Sequence, residues 1–148
     1  MSDALWDGRK IRLLNVIDDY NREALTIETD TSLPTARVIR VLERIGDYRG
    51  LPKMIRVDNG PEFISAQLDI WCKEKGILLI FIEPGEPTQN AYIERFNGTF
   101  RRDVLNAYVF KSIKEVDEIT SKWIIDYNYN IPHQSLKNKT PMEYVFVE

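Results

Sequence analysis

Two runs rich in β-branched and apolar residues, "IRLLNVID" at 11–18 and "EALTIETD" at 23–30, are separated only by "DYNR". A linker that short cannot carry a crossover, so two strands placed there must pair antiparallel. Ahead of them "WDGRK" holds an Asp-Gly pair suited to a tight turn, and residues 1–5 supply one more strand. The chain therefore opens as a three-strand antiparallel meander. Beyond residue 30 the period changes. Thr31 or Ser32 is placed to cap a helix with Pro34 in its first turn; Val38, Leu42 and Ile45 recur at helical spacing, and Gly46 is placed to end it.

"MIRV" then reads as a short strand ending at Asp58. The spacing predicts a helix over 62–75, with Ile64, Leu68, Trp71 and Cys72 on one face and Gly76 as its stop. "ILLIFI" is a fifth strand, and its unbroken hydrophobicity predicts burial on both faces. After the loop "EPGEPT", a helical pattern covers about 89–106 on a stripe of Ile93, Phe96, Phe100 and Val104. Ser112 and Glu115 have capping-box spacing before a helix whose inner side is Ile113, Val116, Ile119, Trp123 and Tyr127; Thr140, Pro141 and Glu143 suit a last turn. Right-handed crossovers would lay the two late strands parallel beside the first. The expected fold is α/β, a ribonuclease-H-like mixed five-stranded sheet flanked by helices, with one domain over 1–148 and a C-terminal tail from about 131.

Composition narrows the classes. With 148 residues, 43% of them hydrophobic, the chain can bury a core of its own. A single cysteine, Cys72, rules out an internal disulfide and a multi-cysteine zinc site. No apolar run has the length of a membrane span and the start lacks a signal sequence, so no membrane partner and a cytoplasmic location are expected. The net charge of −3 argues against gripping nucleic acid by bulk charge alone, although basic residues cluster locally, as at Arg95, Arg101 and Arg102. His133, the one histidine, reads as a packing or hydrogen-bonding residue, and Trp6, Trp71 and Trp123 as core or rim.

Asp58 is the chemically pointed residue. It closes a strand, and "DNGP" turns away at once, which by itself describes an Asx-type turn. In open sheets with helical crossovers, however, ligands gather beyond the carboxyl ends of parallel strands. Glu94 stands one residue past the apolar stripe of the long helix, at the boundary of core and solvent, and Asn90, Asn97 and Arg101 share its face by spacing. A surface ion pair of Glu94 with a neighbouring arginine is the plain alternative. Thirty-five residues lie between Asp58 and Glu94.

With that spacing, "IRVDNGPEFIS", "PGEPTQNAYIERFNGTFRRDVL", "LNVIDDYNRE" and "YNIPHQSLKNKTPMEY" together resemble the integrase-like transposases of bacterial insertion sequences, relatives of retroviral integrases, over practically the whole chain. The resemblance implies a catalytic core with two aspartates and a glutamate that cleaves and joins DNA strands using two Mg²⁺ or Mn²⁺ ions. Asp58 and Glu94 would be catalytic metal ligands, since hard carboxylate oxygens suit such ions. Asn59, Gln89, Asn90, Asn97 and Arg101 would lie near the DNA backbone. Implied partners are DNA, both transposon ends and target, and further copies of the chain; the setting is a bacterial cytoplasm, at the nucleoid when acting.

The family's first aspartate falls in a stretch resembling "MDFMSDAL", two residues ahead of the position matched by Met1. Asp3 has the right parity to replace it but lies about 13 Å along the strand, and Asp18 and Asp19 read as turn residues. These 148 residues by themselves are therefore expected to be inactive. The rival readings are a ribonuclease-H-like nuclease, using water as nucleophile, and a non-catalytic remnant that binds DNA or self-associates.

Overall fold

The meander forms as expected: β1 (Ser2–Ala4), β2 (Lys10–Ile17) and β3 (Ala24–Asp30) pair antiparallel in that order. In the computed structural model the described residues are 1–83, 86 and 91–145. The Asp-Gly turn closes through Leu5 N–H donating to Arg9 O at 2.8 Å, with the Asp7 carboxylate accepting from Arg9 N at 3.0 Å. Ser2 faces Arg12, Leu13 faces Thr29, and the register shifts between Val16 and Ile17. The chain divides into two compact units, Met1–Thr31 with Tyr92–Glu148, and Ser32–Ala91.

In the first unit Ile11, Leu13, Ala24 and Ile27 of the meander are buried with Phe96, Phe100, Val104, Val116 and Tyr127 of the later helices. Helix α3 spans Ala91–Phe100 and passes into a π-helical turn over Arg101–Leu105, where Asn106 N–H reaches back to Arg101 O at 2.8 Å. Val104 and Leu105 are both buried within that wide turn. Trp123 packs edge-on to Phe96 and Phe100, with ring centroids 5.5 and 5.2 Å away. Each buried phenylalanine is worth about 1.5–3 kcal/mol.

The helix carrying Trp123 is α4 (Ile113–Asn130), and its cap is a variant of the expected box. Ser112 Oγ accepts from Glu115 N at 3.2 Å, but the Glu115 carboxylate accepts from Lys111 N, at 2.7 Å, rather than from Ser112. The short α5 (Pro141–Val145) has the full reciprocal pair, Thr140 Oγ1 with Glu143 N and Glu143 Oε1 with Thr140 N.

The second unit consists of α1 (Thr35–Arg49), β4 (Met54–Val57), α2 (Ala66–Lys75) and β5 (Leu78–Phe81). Strands β4 and β5 run parallel, Met54 opposite Leu78 through Val57 opposite Phe81. Ile39, Leu68, Trp71, Cys72 and Ile77 form the core, and Trp71 Nε1 donates to the Glu43 carboxylate at 3.0 Å.

Several expectations are corrected. The strands form two sheets, three antiparallel and two parallel, instead of one mixed sheet of five. Strand β1 has only three residues, all paired with β2, and so short a strand offers few further ladder bonds. β5 is not buried on both faces, since Leu78 is 57% exposed; four apolar residues in a two-stranded ladder lack the covering layers that such burial requires.

The helix boundaries move as well. Helix α1 starts behind Pro34, whose carbonyl accepts from Arg37 N and Val38 N, while Thr31 is engaged with the Asp30 carboxylate. It runs through Gly46 to stop at Gly50, which has φ 87°. Gly46 serves packing instead: a Cβ there would lie 2.7 Å from Leu51 Cδ2. Residues 62–64 are a turn, with Phe63 N and Ile64 N both bonded to Gly60 O. Ser65 then caps α2, leaving Ile64 outside the helix and 58% exposed. Trp6 is neither core nor rim but 72% exposed in the hairpin turn.

Candidate functional site

Asp58 follows β4 directly and is exposed to solvent. Its Oδ1 accepts from Gly60 N at 2.8 Å, the Asx turn expected of "DNGP". The turn leaves the carboxylate's other oxygen available. A Cβ on Gly60 would lie 2.9 Å from both Asp58 Oδ1 and Glu62 Oε1, so only glycine leaves room for two carboxylates to approach this turn unperturbed. Asn59 is used locally: its Nδ2 donates at 2.9 Å to Ile82 O, just past β5, and Ile82 N continues the ladder to Val57 O at 3.0 Å. The two parallel strand ends are thereby tied together beside Asp58.

Glu94 lies in the first turn of α3, exposed, in the other unit. Two residues expected on its face anchor the helix to the meander. Asn97 Oδ1 accepts from Asn15 Nδ2 at 2.7 Å, and Arg101 Nη2 donates to Ser2 O at 2.9 Å. With Phe96 and Phe100 buried behind it, the helix is held by both its apolar and its polar contacts. Gln89 and Asn90 lie outside the described residues. Asp3, in the middle of β1, accepts at Oδ1 from Ala4 N, and Asp18 Oδ1 accepts from Tyr20 N in the β2–β3 turn.

Among the described residues no three His, Cys, Asp or Glu side chains gather into a metal cage. The donor chemistry nevertheless fits a hard divalent cation: the glycine cradle at residue 60 brings carboxylate oxygens, and no thiolate or imidazole, to the end of β4. Cys72 is buried, and burial together with the nearby Asp69 pushes its thiol up, away from nucleophilic use. His133 packs edge-on against Tyr127 with centroids 5.1 Å apart, the packing role expected of it.

Sequence reading passed over Asn15 and Arg22. Asn15 left a signal, a lone amide inside the apolar strand "LLNVI". Arg22 left none, because its importance comes from a left-handed backbone, φ 63°, in the β2–β3 turn.

Meander, crossover strands and flanking helices are those of the ribonuclease-H-like cores of retroviral integrases. The chain aligns with the HTLV-2 integrase catalytic core domain in complex with magnesium, in a trimeric form, at TM-score 0.71 and 17% identity, covering 97% of this chain and 90% of that one. It also aligns with a chain of the simian T-cell lymphotropic virus intasome bound to a PP2A regulatory subunit, at TM-score 0.76 and 19% identity, covering 100% of this chain and 52% of that one. In sequence it is 42% identical over 142 residues to the 31.7 kDa protein of insertion element IS407 from Burkholderia multivorans, covering 96% of this chain and 51% of the relative. A 39.2 kDa protein of insertion element IS476 from Xanthomonas euvesicatoria is equally similar, at 42% over 142 residues, covering 96% and 41%. The chain thus spans about half the length of these relatives. Integrase core domain families match residues 3–87 and 75–141. The chain belongs to the integrase core domain family.

Proposed function

We propose that this chain is the catalytic core of an insertion-element transposase, a polynucleotidyl transferase that cuts and joins DNA strands. The observation that carries the reading is Asp58 standing exposed at the end of a parallel strand, beside a glycine whose nearest neighbours are the Asp58 and Glu62 carboxylates, in a chain of the integrase core domain family. Asp58 and Glu94 would hold Mg²⁺ or Mn²⁺. Such ions, when bound, polarise a phosphodiester and stabilise the charge that develops on attacking and leaving oxygens.

The chain's own residues set up that chemistry. Asn59 braces the strand end that carries Asp58, and Asn97 with Arg101 fixes the helix that carries Glu94. Gln89 and Asn90, with whatever donors Asn59, Asn97 and Arg101 have to spare, face the DNA backbone in this reading. Transposon-end and target DNA are the substrates, and copies of the chain the partners. Among the described residues no helix is long and apolar enough to cross a membrane.

The test is a labelled transposon-end duplex incubated with the protein and Mn²⁺, resolving joined from merely cut products. Asp58→Asn and Glu94→Gln should each slow joining by factors of hundreds or more, about 3 kcal/mol or above in barrier. Unchanged joining in either variant refutes the assignment; cutting without joining favours a nuclease. Mn²⁺ titration followed by electron paramagnetic resonance gives a readout independent of turnover, and either substitution should weaken binding.

A further inference from the structure

A shallow cleft in the first unit is lined by Arg22, Tyr92, Arg95, Tyr127, His133 and Ser135. They come from the β2–β3 turn, α3, α4 and the segment after it, so the cleft is assembled by the fold and not by one helix face. Its charged side chains are both guanidiniums, and none of the lining residues is Asp or Glu. Phenols, an imidazole and a serine hydroxyl add further donors to a wall that also includes Ile17 and Phe96.

The parts are held in place. Arg22 takes φ 63°, a conformation costing roughly 1–2 kcal/mol for an L-residue, which its contacts must offset. Its guanidinium lies 3.6 Å from the Tyr92 ring centroid, and Nη1 donates to the carbonyls of Asp19 and Tyr20. His133 is pinned by its backbone, with N–H donating to Lys139 O and its carbonyl accepting from Leu136 N and Asn138 N. Yet Arg22 Nε and His133 Nε2 are both buried with no hydrogen-bond partner among the described residues.

Leaving a buried polar group unmatched costs about 1–3 kcal/mol, and two in one cleft, beside a second guanidinium, call for an acceptor with several oxygens. If Arg22 served only to stack on Tyr92, the unmatched imidazole nitrogen and the convergence of Arg95 would have no explanation. We propose that Arg22, Arg95 and His133 form an oxyanion site that takes one phosphate group. Arginine's planar fork suits phosphate oxygens, and the imidazole adds a third polar contact. The phosphate belongs either to a DNA backbone or to a free phosphate species. Only the first source rests on the transposase reading.

His133 is the only histidine, so its ring proton signals are unique in the NMR spectrum. The signals are followed while inorganic phosphate replaces chloride at constant ionic strength, and separately while a short DNA duplex is added. A saturable shift with phosphate, weakened at least tenfold in Arg95→Gln, is the expected result; Arg95 is exposed, so that variant should keep its fold, as circular dichroism will verify. Arg22→Gln should weaken binding likewise if it folds. A matching shift with duplex, competed by phosphate, assigns the site to the DNA backbone, and a shift with phosphate alone assigns it to free phosphate. No saturable shift with either ligand, or equal affinity in Arg95→Gln, overturns the site. Loss of strand transfer in the Asp58 and Glu94 variants bears on the metal site alone, so the two proposals fail separately.

Discussion

Asn128 is the residue whose replacement should reveal most about how the first unit is held. It sits near the end of α4, 6% exposed, against Ala24 at the start of β3, itself 3% exposed. Its Oδ1 accepts from Ala24 N at 2.8 Å and its Nδ2 donates to Ala24 O at 3.0 Å. The amide thus pairs both backbone groups of one residue on the edge strand of the meander, as a neighbouring strand would. Asn128→Ala strips both partners at once. At about 1–3 kcal/mol for each buried group left unmatched, the loss should be roughly 2–6 kcal/mol, a large share of the 5–15 kcal/mol typical of a domain. Urea unfolding followed by tryptophan fluorescence measures it. Asn128→Asp separates shape from chemistry: an ionised carboxylate keeps the acceptor but sets an oxygen against Ala24 O, so it should destabilise at neutral pH and recover partly in acid. A loss below about 1 kcal/mol for Asn128→Ala, or a pH-independent Asn128→Asp, would refute the reasoning.

Two pH effects and one backbone effect are also expected. Burial, then the charges of Arg22 and Arg95, hold His133 below its ordinary value of 6.5, so the unfolded chain binds the proton more readily. The stability this group leaves intact above about pH 6.5 should be lost as pH falls through its folded value, and His133→Gln should flatten that limb of the urea-midpoint profile. Burial pushes the Tyr127 phenol up to about 12, so its contribution is full below the ordinary value of 10.0 and lost as pH climbs toward 12. Tyr127→Phe should level the alkaline limb, as midpoints at successive alkaline pH values will show. Gly76 ends α2 in the left-handed region, φ 72°, with open space where a Cβ would sit, so Gly76→Ala should cost about 1 kcal/mol of backbone strain in denaturant titration.

Elements with a strong local signal were legible in the sequence. The meander followed from two β-branched runs too close together for any other pairing, and the stripe of Phe96, Phe100 and Val104 is buried as its spacing required. Boundaries were less legible because they depend on contacts made elsewhere. Gly46 looked like a helix stop, since glycine is the usual residue there, but its missing side chain makes room for Leu51 and the stop falls to Gly50. Gly60 gathers two amide hydrogens on its carbonyl, which turns residues 62–64 and delays α2 until Ser65. The continuous run "ILLIFI" carried no information about which faces the surrounding layers would cover. Sheet partition lay furthest from reach, because it depends on long-range pairing that no local pattern encodes.

The candidate site was legible where its residues sit at places the apolar pattern does not explain. Asp58 stood out as the charge that closes an apolar strand, and Glu94 as an acidic residue beside the apolar stripe of its helix, with 35 residues between the two. Asn59, Asn97 and Arg101 were recognised as belonging near them, but their partners were not, since a bond from Asn97 to Asn15 or from Arg101 to Ser2 spans most of the chain. Those bonds bear on how a carboxylate exposed on a helix is positioned. Glu94 is exposed in the first turn of α3. Its position is inherited from α3, and α3 is fixed by two phenylalanines on one side and by an amide pair and a guanidinium on another. On the proposed reading, in which Glu94 holds a metal ion, little misplacement of that carboxylate would be tolerated, so the anchoring residues would matter to the reaction without touching it. The same division holds in the second unit, where Asn59 joins the strand ends and the exposed Asp58 keeps one oxygen in the turn.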